Sequence, residues 1–348
     1  MQYRQLGTTD LRVSEITLGT MTFGEQNTEA EGHEQMDRAL DAGINILDAA
    51  ELYPIAPRRE TQGRTEEIIG TWMKARRNRD RVVIATKVIG RSTMDWFRDD
   101  GARGELSRPQ ILEAVDKNLR RLQTDYIDLY QVHWPDRAVP TFGSNPTVYK
   151  VEPAPEIAIE ETLDVLGELV KSGKVRHVGI SNESPWGTMR YLRHHERSGA
   201  PRIQSIQNAY NLVNRTFEVG LAEFCTRETV SLLAYSPLGQ GFLTGKYRNG
   251  ARPAGARKTL FDRLQRYEKP GTDAAVEKYC ALAAELGVSP SVLAIAFVLS
   301  RPFVTSTIIG ATSMAQLEED LSALDFAITP EIEERIDAIH QIHSNPAP

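Results

Sequence analysis

A chain of 348 residues, 41% hydrophobic and 25% charged, has the make-up of a globular enzyme, and its net charge of −6 is spread over intermixed acids and bases. That pattern excludes nucleic acid or an anionic membrane surface as the main partner, while a small anionic ligand needs only a local cluster of cations and backbone amides. No stretch approaches the roughly 18–20 apolar residues of a membrane span or a signal-peptide core, and the distant Cys225 and Cys280 form neither a metal motif nor a disulfide framework, so a reducing, cytoplasmic setting is the expectation.

In chain order, residues 1–13 read as a short hairpin turning at Thr8-Thr9-Asp10. Strand candidates follow at Ile16–Gly19, Ile44–Asp48, Val82–Lys87, Tyr126–His133, Val175–Ser181, Ile203–Asn208, Ser231–Ser236 and Thr305–Gly310. Between them, apolar residues recur at helical spacing over Thr28–Ala42, Thr65–Arg77, Arg108–Leu122 and Glu156–Ser172. The later helix candidates are Pro185–Arg197, Glu218–Glu228, Asp273–Leu286 and Met314–Leu324. Ser107 before Arg108-Pro109 reads as a cap with an early proline, and Gly43, Gly173, Gly199 and Gly287 stand where left-handed helix ends are expected.

Strand–helix alternation demands a parallel sheet, and eight repeats favour a closed (β/α)8 TIM barrel over an open doubly wound sheet. The first strand–helix turn, LGTMTFG, does not match the glycine fingerprint of a Rossmann fold, and Gly239-Gln240-Gly241 has the wrong spacing, so it reads as a flexible loop. The whole of 1–348 is expected to be one domain, with a hairpin cap below and long top-face loops at 134–155 and 237–272. Within the first of these, Thr141–Val148 is a candidate lid.

Several strands end in polar groups at the expected top face: Asp48 and Tyr53 after the second, Lys87 on the third, His133 on the fourth. Singly, each has an ordinary explanation, as a cap, a packed ring, a solvated cation or a structural imidazole. Together they form a proton-donating set. A phenol titrates near 10 and is a poor acid, a nearby ammonium draws it down, a carboxylate holds the ammonium, and an imidazole orients the substrate oxygen. Tyr53 is thus the candidate acid, Lys87 its tuner, Asp48 the partner of Lys87, and His133 the orienter.

In order, spacing and context, Asp48, Tyr53, Lys87 and His133 resemble the tetrad of the aldo-keto reductase superfamily, across essentially the whole chain. GTMTFGEQN (19–27), AELYPIAPRRETQGRTE (50–66), QVHWP (131–135) and the final NPAP resemble in particular its bacterial Tas-type branch and the related potassium-channel β-subunit branch. The resemblance implies reduction of a small carbonyl substrate by hydride from NADPH. It further implies that Thr20 and Met21 border the cofactor, and that Ser181 and Asn182 of GISN, with Gln207, hold the nicotinamide carboxamide. In AYSPLGQGFLTGKY it makes Tyr235 the ring that stacks on nicotinamide, with Ser236, Pro237, Leu238 and Gly241 on the pyrophosphate and Lys246 on the phosphates. IIGATSMAQLEEDL resembles the adenosine-phosphate segment, implicating Gly310, Ala311, Thr312, Gln316 and Glu319, and a loop entering a helix N-terminus there suits an anion. Asp320 stands where related enzymes often carry Asn, as a contact of the adenine, and Arg257 resembles an arginine that pairs the 2′-phosphate.

Phe23 and Trp134 are candidate walls of the substrate pocket. His194-His195 sits in a charged helix end and needs no further role, and His133 has no HxH or HxxxH companion, so no metal is expected. A redox-reporting regulatory subunit and a glycosidase built on Glu51 are the rival readings. The intact tetrad favours catalysis over the first, and the second leaves Lys87 and GISN unexplained.

Overall fold

A computed structural model describes residues 1–140, 149, 155–262 and 266–348. The candidate lid at Thr141–Val148 lies outside the described residues. Strands β1 (Tyr3–Gln5) and β2 (Arg12–Ser14) form an antiparallel hairpin. Eight parallel strands then close into a barrel: β3 (Ile16–Gly19), β4 (Ile46–Asp48), β5 (Val83–Val88), β6 (Ile127–Val132), β7 (Val175–Ser181), β8 (Ile203–Ala209), β9 (Ser231–Tyr235) and β10 (Val304–Ile309). Strand β10 pairs with both β9 and β3, which closes the ring. These strands are covered on both faces, so even their polar residues, as in IQSIQNA and VTSTII, are largely buried.

The helices outside the ring are α1 (Glu29–Asp41), α2 (Arg64–Arg76), α3 (Arg108–Leu122), α4 (Ile159–Lys171), α5 (Pro185–Ser198), α6 (Thr216–Gly220), α7 (Ala222–Glu228), α8 (Arg257–Phe261), α9 (Thr272–Glu285), α10 (Pro290–Leu299), α11 (Met314–Ser322) and α12 (Pro330–Ile342). Helix α1 begins with a reciprocal capping box, Thr28 accepting from the Glu31 amide while the Glu31 carboxylate accepts from the Thr28 amide. Ser107 takes the extended cap conformation, but its side chain makes no capping hydrogen bond. The single helix expected over Glu218–Glu228 is broken at Leu221, just after Gly220, the residue least suited to a helix interior apart from proline. Gly43, Gly173, Gly199 and Gly287 all adopt positive φ, as expected.

The hairpin plugs the barrel from below. Leu6 and Val13 join Ile46, Val83, Ala85, Leu129, Leu233 and Ile308 in a buried cluster inside the ring. The Gly7 amide donates to Ser231 Oγ at 2.8 Å, and the Thr8 amide to Gln204 Oε1 at 2.8 Å, both near the N-terminal ends of strands. Closing the bottom leaves the C-terminal ends of the strands as the open face. No single helix among the described residues is long and apolar enough to cross a membrane.

One buried carboxylate ties the ring to its coat. Glu66, on α2, is fully inaccessible and accepts from Thr86 Oγ1 of β5 (2.5 Å), Asn118 Nδ2 of α3 (2.6 Å) and Arg121 Nε (2.7 Å). Thr86 precedes Lys87, so this junction fixes the strand that carries the candidate ammonium. Glu66→Ala would leave those donors buried without an acceptor, at a cost of about 3–5 kcal/mol. The urea unfolding midpoint should fall accordingly, and a loss below about 1 kcal/mol, the scale of an exposed ion pair, would contradict this assignment.

Candidate active site

Strands β4, β5 and β6 end side by side, and their last residues meet at the open face. Lys87 is wholly buried, and its Nζ donates to both Asp48 oxygens at 2.8 Å and to the Ala49 carbonyl at 2.7 Å. An ammonium has three N–H donors, and all three are thereby engaged. Asp48 is held from the other sides too, since Gln207 Nε2 donates to its Oδ1 at 2.7 Å and Thr20 Oγ1 to its main-chain carbonyl at 2.7 Å. The Tyr53 ring lies over this pair, its centroid 4.9 Å from Nζ. His133 meets Tyr53 edge to face at 5.8 Å between ring centroids. The fold therefore brings together all four expected residues.

The electrostatics differ from the expectation in one respect. Lys87 was expected to draw the phenol down, but burial pushes the Tyr53 phenol well above its ordinary range and the Asp48 carboxylate pushes it further. The reason is geometric: every N–H of Lys87 is turned to Asp48 and Ala49, which leaves none for the phenol. Arg257 pulls in the opposite direction without reversing the balance. Burial likewise holds Lys87 below the usual ammonium range against the pull of Asp48. His133 is held well below the usual imidazole range, by burial and then by the positive charge of Lys87. The cavity thus meets a protonated phenol and a neutral imidazole.

A cavity of about 570 Å³ opens above the tetrad and runs across the mouth of the barrel towards α11. Tyr53, Asp48 and His133 line one end, while Lys87 sits behind them. Thr20 and Met21 border it, and so do Ser181, Asn182 and Gln207. Tyr235 lines it beside Ser236, Pro237, Leu238 and Gly241, and Lys246 and Arg257 supply cations. Gly310, Thr312, Gln316, Glu319 and Asp320 line the far end. Ala311 does not; it is buried, its carbonyl 3.4 Å from the Thr22 hydroxyl.

Of the candidate pocket walls, Phe23 falls elsewhere, while Trp134 is half-buried against the apolar cluster around Leu52 and Tyr53. Phe23 is wholly buried against Gly32, and Trp134 packs on His133 while its indole N–H donates to the Arg91 carbonyl at 2.9 Å. Leu52 and Ile55, in the same cluster as Trp134, line the cavity on either side of Tyr53. That pair was legible in the run ELYPI. Ser291 of α10 also lines the cavity, and nothing in its local sequence marks it.

Around Tyr235, the phenol donates to Asn182 Oδ1 at 2.6 Å and accepts from Arg266 Nη1 at 2.7 Å, so Arg266 is a further charged residue of the site. Asn182 Nδ2 also donates to the His133 carbonyl at 2.9 Å, joining the tetrad to the GISN segment. At Gly241, with φ of +97°, a Cβ would come within 2.7 Å of Lys246 Cε, so only glycine lets the lysine lie across this turn. The turn is tight, with Gly239, Gln240 and Gly241 all at positive φ. Glu51 offers no free acid for glycoside hydrolysis: it is buried and bound to Arg98 at 2.8 and 3.1 Å and to the Ile89 amide at 2.7 Å.

A closed barrel with this tetrad at its mouth defines a carbonyl-reducing oxidoreductase, and residues 15–341 match the aldo/keto reductase family; the chain belongs to it. It is similar over its whole length, and that of the relative, to protein tas of Escherichia coli (strain K12), at 48% identity. It is 33% identical to the uncharacterized oxidoreductase YrpG of Bacillus subtilis (strain 168), over 95% of this chain and 94% of the relative. A probable voltage-gated potassium channel subunit beta of Oryza sativa subsp. japonica is 32% identical, over 98% of this chain and 97% of the relative.

The neutral imidazole is directly testable. Because the native pKa of His133 lies below the unfolded value near 6.5, the unfolded chain binds the extra proton first, and this residue lowers stability as pH falls below about 6.5. Ring ¹⁵N shifts of His133 should remain those of a neutral tautomer at pH 6, and an imidazolium spectrum at that pH would contradict the site as described.

Proposed function

We propose that the protein reduces aldehydes or ketones to alcohols with hydride from NADPH, and that Tyr53 delivers the proton. The observation that carries this reading is the exposure of Tyr53 and His133 to one cavity directly above the buried Lys87–Asp48 pair. The cavity fits an extended anionic nucleotide: it is long, it carries Lys246 and Arg257, and Gly241 leaves room for the lysine to cross its floor. When bound, the reduced nicotinamide supplies the hydride. Ser181, Asn182 and Gln207 would hold its carboxamide and Tyr235 its ring. Gly310, Thr312, Gln316, Glu319 and Asp320 would receive the adenosine end.

Tyr53 keeps its proton until the carbonyl oxygen gains charge. An alkoxide is a far stronger base than a phenolate, so even a phenol of raised pKa transfers its proton once that charge develops. His133, neutral and 5.8 Å from the Tyr53 ring, donates a hydrogen bond to the same oxygen and so fixes the carbonyl beneath the phenol. Lys87 does not relay a proton here; its role is to neutralise Asp48 and so to limit the repulsion that carboxylate exerts as negative charge forms on Tyr53. Leu52 and Ile55 keep the reacting carbonyl against apolar walls.

Tyr53→Phe should bind NADPH as the parent protein does while kcat falls by about 10²–10⁴. Near-parental turnover in a folded variant would move the acid elsewhere. The preference for NADPH over NADH rests on Arg257 and Lys246. Arg257→Ala should weaken NADPH by about ten- to a hundredfold, the worth of a charged hydrogen bond, and leave NADH nearly unchanged. Equal weakening of the two nucleotides would reject a phosphate-selective role. Fluorescence titration with each nucleotide reads both effects, and a folded protein that binds neither would reject the reductase reading.

A further inference from the structure

At the far end of the cavity a carboxyl group stands in an unusual setting. Helix α11 starts with Ser313 accepting from the Gln316 amide, and its next turn places Asp320 on the inner face. Asp320 is only 2% exposed and lines the cavity, yet its Oδ2 meets no hydrogen-bond donor among the described residues. Helix α10, which packs against α11, carries no charged residue, so that side of Asp320 is apolar apart from Ser291. The charged groups that bear on Asp320 are few. Glu319 adjoins it on the same helix, Lys246 faces it from the loop after β9, and Arg257 lies beyond Lys246. Glu318, on the outer face, is engaged by Arg38 of α1.

A buried carboxylate with a free oxygen is a poor wall for a ligand that carries several phosphate charges. The neutral acid is a good one: it removes the repulsion and adds an O–H donor beside a carbonyl acceptor. We propose that Asp320 receives the nucleotide as the neutral carboxylic acid, so that filling this end of the cavity is coupled to holding a proton there. The proposal rests on the nucleotide-binding reading above and goes beyond it, by making affinity a function of one protonation equilibrium at one residue.

The sign follows from the surroundings. Burial, with the neighbouring Glu319 carboxylate, pushes the free Asp320 group up to about 8, while Lys246 acts in the other direction. Ligand phosphates and the further loss of water would raise it again. The complex therefore holds the proton to higher pH than the free protein does. Affinity is flat below about pH 8 and falls above it, by at most about tenfold per pH unit for a single proton. Loss of the Lys246 proton, which burial also favours, would weaken binding with the same sign, so the test must separate the two.

The test is calorimetric titration of the full chain with NADPH from pH 7 to pH 9, in buffers of different ionisation enthalpy, beside thermal melts. The parent protein should take up a proton on binding above pH 8 and lose affinity there. Asp320→Asn keeps the shape without the charge and should bind without proton uptake, at an affinity that varies less than twofold across the range. Lys246→Met, which removes the cation that holds the Asp320 carboxyl down, should bind more weakly and still take up a proton, with the fall in affinity moved to higher pH. A parental slope in Asp320→Asn, or tight binding by the parent with no proton uptake, would overturn the proposal and leave nucleotide binding intact. Failure of the folded parent to bind NADPH at any pH would instead overturn the nucleotide reading, and this proposal with it.

Discussion

The ion pair between Lys87 and Asp48 governs the upper half of the molecule. Both side chains are removed from water, and withdrawing two charges from water is expensive unless each is matched in close geometry. The match is close: two 2.8 Å contacts and a third N–H to the Ala49 carbonyl leave the ammonium no spare donor. Such a pair tolerates little movement. It therefore fixes the tops of β4 and β5 relative to each other, and Gln207 extends the constraint across the barrel to β8. The segment leaving β4 must then pass over a buried charge, and what it presents there is the face of Tyr53. The height of the phenol above the cavity floor follows from a salt bridge that the cavity itself does not contact through Lys87.

The same low-dielectric surroundings set the protonation states. A charged imidazole would be penalised by burial and by Lys87, and an ionised phenol by burial and by Asp48, so both groups face the cavity neutral. Neutral donors aimed at one point favour an oxygen on which charge is about to develop over an anion already formed. The cations lie away from the tetrad on the long 237–272 loop, where Lys246 and Arg257 border the cavity. One concave surface thus holds two different environments, a neutral one around the tetrad and a positive one along the loop.

Much of this was legible in the sequence, for identifiable reasons. Buried parallel strands must be apolar on both faces, so runs such as VVIATK and YIDLYQVH stand out, and all eight appear within about two residues of their expected bounds. The tetrad was legible because each member sits at or just past a strand end, where the barrel gathers side chains. Helix α10 was not, because PSVLAIAFVL is apolar all round and so offers no periodic stripe. Its Ser291 consequently went unnoticed as a cavity residue. Phe23 turns away from the cavity because an aromatic near a strand end can face either inwards or out, and only its packing against Gly32 settles which. The direction of the Tyr53 shift was missed for a related reason: composition shows an ammonium nearby, but not that its donors are already engaged.

The most direct test replaces the pair without leaving a lone charge buried, by the double variant Lys87→Met with Asp48→Asn. Single-turnover reduction of a simple aldehyde by the protein loaded with NADPH, followed by loss of the reduced nicotinamide absorbance, reads the chemical step alone. If the buried pair sets the position of Tyr53, the variant folds, binds NADPH, and transfers hydride at least about a hundredfold more slowly, the low end of what one positioned acid contributes. Hydride transfer at the parental rate in the folded double variant would contradict the account at its foundation.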